Sequence, residues 1–394
     1  MNAERRPGRS TTSTSPGAPS SSSRASFAKR LIAWQRRAGR HDLPWQTTRD
    51  PYRIWVAEIM LQQTQVATVL RYYERFVKRF PSVQALAAAG LDEVLTLWAG
   101  LGYYGRARNL HAAARKVTLE FAGRFPRDVA GLMTLPGVGR STAGAIAACA
   151  FGTRAPILDG NARRVLARHA GIAGAPEAPE TTAALWAEAE RRLPRGAQAM
   201  RVYTQGLMDL GATCCTVRHP QCDRCPVATD CAARLSGRVA DIPPPRRRSP
   251  LPLRRQRFLL ALHAREVLLV KRPTRGLWGG LWCLPELPAR VAATRAARAW
   301  GIERCRRRPA PSAFEHAFTH FRLRIELIAL EVLARPWREL PPESRWLPLD
   351  EIDSAALPRP IMKLLNELAG SPSSPKRERT DHTSIQDRHK DFPT

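Results

Sequence analysis

Five of the chain's eight cysteines fall in one short run, Cys214-Cys215-TVRHPQ-Cys222-DR-Cys225-PVATD-Cys231. Counted from Cys215 the spacing is C-x6-C-x2-C-x5-C, and four thiolates that close together can wrap one soft metal centre. Disulfides are a poor alternative in a long chain that is otherwise cysteine-poor and opens with no apolar signal segment. Zinc and a [4Fe-4S] cluster both accept four cysteines. A zinc ribbon usually carries two C-x2-C knuckles and only one is present here, which favours the cluster on Cys215, Cys222, Cys225 and Cys231. Cys214, near Leu210 and Thr213, reads as a buried apolar thiol.

Two carboxylates also stand in settings that could do chemistry. Glu58, in Trp55-VAEIMLQQTQVATVL, has apolar flanks on both sides; such a setting raises a carboxylic acid's pKa, so it can stay protonated and donate. A solvated helix-face glutamate is the plain alternative. Helical spacing puts Gln62 on the face of Glu58, with Gln63 beside it. Asp159, in Pro156-ILDGNARRVLAR, precedes a basic amphipathic helix, where an aspartate is a natural N-cap. At that place the helix dipole would keep it ionised, able to face a developing cation.

The elements that must position these groups follow from periodicity and punctuation. Residues 27–233 read as helical throughout, with apolar positions such as Val66, Val69, Leu70, Tyr73, Phe76, Val77 and Phe80. Breaks are expected at Leu43-Pro44, Phe80-Pro81, Phe125-Pro126 and Arg154-Ala155-Pro156. Within this all-α domain, Leu135-PGVGRSTAGAIAACAFG reads as a tight turn, with Gly137 and Gly139, followed by a small-residue helix starting near Ser141. The glycines let successive N–H groups point at a phosphate oxygen beside a helix N-terminus, a grip that reads no base sequence. Residues 234–253, with Ile242-PPP-RRR-SPLP, read as a stiff charged linker. Beyond it the period changes to that of strands: Arg257-FLLALHA-Arg265-Glu-VLLVKR as a hairpin, and Phe321-RLRIELIAL as a half-buried strand, making 254–369 an α/β or α+β domain. Residues 1–26 and 370–394 have the composition of disordered tails, and the first also has the arginine and serine bias of a transit peptide without its amphipathic period. No run approaches membrane-spanning length.

The formal net charge of +29, from 63 basic and 34 acidic residues, exceeds what solubility needs and points to a polyanionic partner, nucleic acid first. Arginine bias alone, 56 Arg against 7 Lys, is the compositional alternative.

The cysteine spacing after Tyr203-TQGLMDLGA resembles that of the endonuclease III superfamily of helix-hairpin-helix glycosylases. LPWQ at Leu43, EIMLQQTQVATV at Glu58, GLGYYGRARNLH at Gly100, LPGVGRSTAGAI at Leu135, ILDGNARRVLAR at Ile157 and MDLGA at Met208 together resemble its MutY family of adenine DNA glycosylases over 27–233, and more loosely over 254–369. That resemblance implies a multidomain chain, an all-α glycosylase domain with a [4Fe-4S] loop at 214–231 and then an α/β Nudix-like domain. It implies removal of adenine mispaired with 8-oxoguanine or guanine in double-stranded DNA, by a monomer; the absent signal segment and the arginine-rich composition point to a bacterial cytoplasm. Carried over by motif, Glu58 would protonate the adenine ring and Asp159 would stabilise the oxocarbenium-like sugar, the division of labour of glycoside hydrolysis. The base must leave the stack; by the same resemblance Gln63 and Tyr103 would wedge the duplex, Trp45, Leu61 and Gln205 would line the adenine pocket, and Gln62, Gly137, Gly139, Ser141 and Asn161 would contact DNA. Plain core for Tyr103 and plain helix surface for Gln63 are the alternatives. Relatives that also cleave the strand carry a lysine after the hairpin, for Schiff-base chemistry. Here Ser141 stands there, and no lysine occurs between Lys116 and Lys271. The implied enzyme is monofunctional. An endonuclease III-like lyase on oxidised pyrimidines and a non-catalytic DNA-binding iron-sulfur protein are the rival readings.

Gly276-LWGGLWCLPE resembles the entry to a Nudix fold. Gly280, Glu286, Gly301 and Ile302 match that pattern, but Arg295, Arg298 and Ala299 stand where three metal-binding glutamates belong, which removes pyrophosphatase chemistry. Phe314-EHAFTHFRL resembles the family's 8-oxoguanine-contacting element, giving Phe318, Thr319 and His320 that role, with Thr319 in place of the usual serine.

Overall fold

The computed structural model describes residues 21–245, 250–288, 291–335 and 340–370, and the chain divides into two compact units, Met1–Pro250 and Leu251–Thr394. The expected tails fall outside the described residues over 1–20 and 371–394, as do linker residues 246–249.

The first unit is helical: α1 (Ser21–Ala38), α2 (Pro51–Leu61), α3 (Val66–Arg79), α4 (Val83–Ala88), α5 (Leu91–Trp98), α6 (Gly105–Glu120), α7 (Val129–Met133), α8 (Arg140–Ile146), α9 (Gly160–Ala170), α10 (Pro179–Arg191), α11 (Ala197–Asp209) and α12 (Ala232–Leu235). All four expected breaks lie between helices. On α3, Val69, Tyr73, Phe76 and Val77 are buried while the opposite face is charged, the 3.6-residue stripe read from the sequence. Two π-helical turns, Ala147–Phe151 and Leu210–Cys214, extend α8 and α11; such turns concentrate at functional sites because they re-aim side chains.

Two boundaries differ from expectation. Helix α1 starts at Ser21, ahead of residue 27. The presumed linker is not free at its start: Ile242 is 1% exposed in the apolar core with Leu158, Leu166 and Leu210, and its carbonyl accepts from Arg168 Nε at 2.8 Å. Proline stiffness marked the segment correctly, but a single isoleucine before the prolines found an apolar slot.

Among its described residues the second unit is an eight-stranded sheet with two helices: β1 (Leu253–His263), β2 (Glu266–Lys271), β3 (Trp282–Cys283), β4 (Glu286–Leu287), β5 (Cys305–Arg307), β6 (Phe314–Ala317), β7 (Arg322–Val332), β8 (Ser344–Pro348), α13 (Ala293–Ala297) and α14 (Arg359–Ala369). The central pair β1 and β7 is parallel, in register from Leu253 opposite Arg322 to Leu262 opposite Glu331. Phe258 through Leu262 are buried consecutively, as a strand covered on both faces requires. The expected hairpin is β1 to β2, turning through Ala264 at φ +50°. No helix among the described residues is long and apolar enough to cross a membrane.

Candidate active site

Glu58 is carried by a largely buried helix in which Arg53 alone is exposed. Asp50 caps α2 by accepting from Tyr52 N at 2.9 Å, Pro51 fits its first turn, and Ile54, Trp55, Val56, Ala57, Ile59 and Met60 are all buried. The helix therefore crosses the core and leaves the Glu58 carboxyl at a cavity of about 370 Å³, within the usual range of small-ligand pockets. Trp45 and Gln205 share its lining, with Arg40, Cys149 and Arg201. Leu61, expected on that wall, does not line it. It lies one turn further along the same face, half-buried at the end of α2.

Asp159 caps α9, accepting from Ala162 N at 2.8 Å. The two carboxyls sense each other: burial first, and then the charge of Asp159, push the Glu58 pKa up to about 8. At neutral pH Glu58 carries its proton. For Asp159 the expectation needs correcting. Its own pKa is raised, because burial opposes ionisation and outweighs the Ala162 and Asn161 N–H groups and Arg164 that favour it. The helix terminus moderates this carboxyl without setting its state alone.

The Leu135-PGVG turn joins α7 to α8 and bolts the two carboxylate carriers together. Gly137 has φ +79°, and a Cβ there would meet the Asn109 side chain at 2.9 Å. Gln62 Nε2, at the end of α2, donates to Gly137 O and Thr142 Oγ1, both at 3.3 Å. On the other side Ser141 Oγ accepts from Leu158 N at 2.9 Å, one residue before Asp159. The position where a lyase needs an amine thus holds a hydroxyl with a structural partner. Asn161 Oδ1 accepts from Arg164 Nη2 at 2.9 Å.

Gln63 and Tyr103 share a peculiarity that no pattern in the sequence disclosed: both hold left-handed backbone, at φ +56° and +51°. Gln63 is exposed, and Tyr103 is 47% exposed, which removes plain core as its role. Strained non-glycine backbone of this kind clusters at functional sites.

Asp209 was missed. It is fully buried at the end of α11, accepting from Arg40 Nε at 2.7 Å, Arg40 N at 3.1 Å and Gln205 Nε2 at 2.9 Å. A carboxylate only accepts, so the Gln205 amide nitrogen must face it and the Gln205 carbonyl is left to the cavity. The available signal was the four-residue step from Gln205 to Asp209 on one helix face.

Cys215, Cys222, Cys225 and Cys231 are all half-buried and line one small cavity with Arg168 and Arg234. Arg168, 3% exposed, fastens this loop through Cys215 Sγ (3.4 Å), Thr216 O (2.6 Å) and Val217 O (3.2 Å). Cys214 is 5% exposed; its thiol reaches Gln221 O at 3.3 Å and also lines this cavity. Among the described residues no three His, Cys, Asp or Glu side chains converge on a point that could hold a single ion. Burial raises the thiols of Cys215, Cys222 and Cys231, so binding must displace their protons. Two guanidiniums on the wall fit an anionic thiolate centre.

In the second unit Phe318 stacks on Phe321, ring centres 4.6 Å apart, with the His316 edge at 4.7 Å. Thr319 and His320 are exposed at the turn from β6 to β7. Glu286, left over from the Nudix pattern, is paired with Arg272, and Arg295, Arg298 and Ala299 are exposed.

A capped-helix scaffold, a hairpin, a cavity lined by a carboxyl that burial keeps protonated and an α/β second unit define a base-excision DNA glycosylase. The model of the HhH-GPD superfamily of base excision DNA repair proteins matches residues 56–191, and that of the NUDIX domain matches 257–367. An adenine DNA glycosylase of Buchnera aphidicola is 34% identical over 86% of this chain and 96% of its own, and the human adenine DNA glycosylase is 34% identical over 87% of this chain and 74% of its own. A solved thermostable thymine-DNA glycosylase superposes with a TM-score of 0.50 at 31% identity, over 55% of this chain and 98% of its own. The chain belongs to the adenine DNA glycosylase family.

Proposed function

We propose that this chain hydrolyses the N-glycosidic bond of an adenine mispaired with 8-oxoguanine or guanine, after flipping it from the duplex. The observation that carries the reading is the pair of inequivalent carboxyls, Glu58 held protonated to about pH 8 beside a cavity and Asp159 close enough to help hold it so. The flipped base enters between Trp45 and Gln205. Glu58 passes its proton to a ring nitrogen, which makes adenine a neutral leaving group. As the bond lengthens the sugar becomes cationic, and the Asp159 carboxylate faces that charge while water adds to the anomeric carbon and its proton passes to the now ionised Glu58. With Ser141 where an amine would be needed, no Schiff base forms and the product is an intact strand with an abasic site.

Gln63 and Tyr103 form the wedge that fills the vacated stack, and Gly137 and Gly139 present the hairpin to a phosphate. Phe318, Thr319 and His320 contact the 8-oxoguanine partner. Cys215, Cys222, Cys225 and Cys231 hold one [4Fe-4S] cluster, with Arg168 binding the loop. When bound, such a cluster cross-links the loop and can exchange an electron; the base chemistry belongs to the two carboxyls.

The test is incubation with duplexes carrying adenine opposite 8-oxoguanine, guanine or thymine. Free adenine and an alkali-sensitive strand from the first two, and none from the third, are expected. Direct nicking without alkali would establish a lyase, and binding without release a non-catalytic protein. Iron and sulfide content of the purified protein tests the cluster independently.

A further inference from the structure

Arg106, the second residue of α6, is only 9% exposed, and among the described residues the group that offsets its burial electrostatically is the Tyr103 phenol and not a carboxylate. It also faces the positive end of its own helix dipole, an unfavourable place for a cation. Burial pulls its pKa down to about 10. Something must offset that cost, and the contacts show what. Nη1 donates to the carbonyls of Ile59 (3.1 Å) and Met60 (2.7 Å) near the end of α2 and to that of Gln62 (2.5 Å) just beyond it. Nη2 donates to Thr64 Oγ1 (3.1 Å) and, on a second loop, to Leu101 O (3.5 Å) and Gly102 O (3.1 Å). The guanidinium carbon lies 5.5 Å from the centre of the Tyr103 ring.

These contacts bracket Gln63 and Tyr103, two of the exposed non-glycine residues with left-handed backbone: Gln62 and Thr64 flank Gln63, and Gly102 and the Tyr103 ring hold the second loop. Non-glycine residues keep such backbone only where their surroundings over-determine it. We propose that Arg106 is the positioning residue of the duplex wedge, one planar guanidinium tying the Gln63 and Tyr103 loops into a single rigid unit that enters the stack as the adenine leaves. The proposal rests on the wedge reading given above. Lysine could not substitute, because an ammonium lacks the fork that reaches several acceptors in one plane.

The full-length Arg106→Lys protein is compared with wild type on two substrates, adenine in a duplex mispair with guanine and adenine in a single-nucleotide bulge, where little has to be prised apart. Single-turnover adenine release should fall ~30-fold on the mispair, as a misplaced positioning element does, and less than about threefold on the bulge, whose base is already unpaired. In a Glu58→Gln background, 2-aminopurine at the target position should show reduced fluorescence gain on binding. An equal loss on both substrates, or no loss on either, overturns the proposal, since a merely loosened fold would affect both alike. Gln63→Ala and Tyr103→Ala separate the two layers: normal extrusion by both sinks the wedge reading, while impaired extrusion by them and normal extrusion by Arg106→Lys sinks only the role of Arg106. Thr64→Val covers the case in which Arg106→Lys does not fold. It removes one of the three Nη2 acceptors, the one that reaches the Gln63 loop, and leaves the arginine; an ~5-fold loss of extrusion is expected from the lost hydrogen bond, and unchanged extrusion overturns the proposal.

Discussion

Glu58→Gln should abolish activity and stabilise the protein. The folded state holds a proton on Glu58 up to about pH 8, whereas an unfolded glutamate releases it near 4.5. Between those values the native state binds the extra proton, so stability falls as pH rises from 4.5 and stops falling above 8. At pH 7 the wild type has lost about 3 kcal/mol through this one residue, from ~1.4 kcal/mol per pH unit over the interval travelled. That is an upper figure, because the carboxyl faces a cavity that water enters. Glutamine is neutral and of the same shape, so the variant should escape the loss. Urea unfolding at pH 5, 6, 7 and 8 measures it: the stability difference should be small at pH 5 and grow by roughly 1 kcal/mol per unit to pH 7 or 8. Adenine release by the wild type should meanwhile decline above pH 8, about tenfold per unit once the acid is ionised. A difference that ignores pH, or a glutamine variant less stable at every pH, would refute the reasoning that burial holds the proton in place.

Asp159 combines a cap with a charge, and two substitutions separate them. Asp159→Asn keeps the cap on Ala162 N and should melt near wild type while losing about 10²- to 10³-fold in release rate; Asp159→Ala should lose the same activity and about 1 kcal/mol of stability besides. Either change removes the second cause of the Glu58 shift, so the pH at which wild-type stability stops falling should move down in Asp159→Asn, as urea titrations would show. Ser141→Ala leaves the Leu158 N–H without its partner, and a cost of about 1–2 kcal/mol with slower release is expected in the same assays. Asp209→Asn lets the Gln205 amide turn over, so the preference for adenine over hypoxanthine, which presents a carbonyl where adenine has an amine, should shrink by about tenfold in competition assays; an unchanged preference would mean that Gln205 does not read the base.

Much of the site was legible because it is written in local chemistry. Cysteine spacing marked the loop. The Asp159-Gly160 step marked a cap, which α9 has, and the apolar run around Glu58 marked a buried helix, which α2 is. The loss of acids at Arg295, Arg298 and Ala299 needed only a register count. Where a reading failed, a distant neighbour was responsible. Ile242 looked free until a core slot beside Leu210 received it.

What the sequence determined by itself is therefore the set of groups and the elements that carry them, since caps, turns and periodicity depend on residues a few steps apart. The tertiary structure decided their states and their alignment. Desolvation, which protonates Glu58 and works against the charge of Asp159, depends on everything packed around a carboxyl. The bridges of Arg106 to Gln62 and of Arg40 to Asp209 span 44 and 169 residues, and only a folded chain brings such partners within the three ångströms or so at which a hydrogen bond acts.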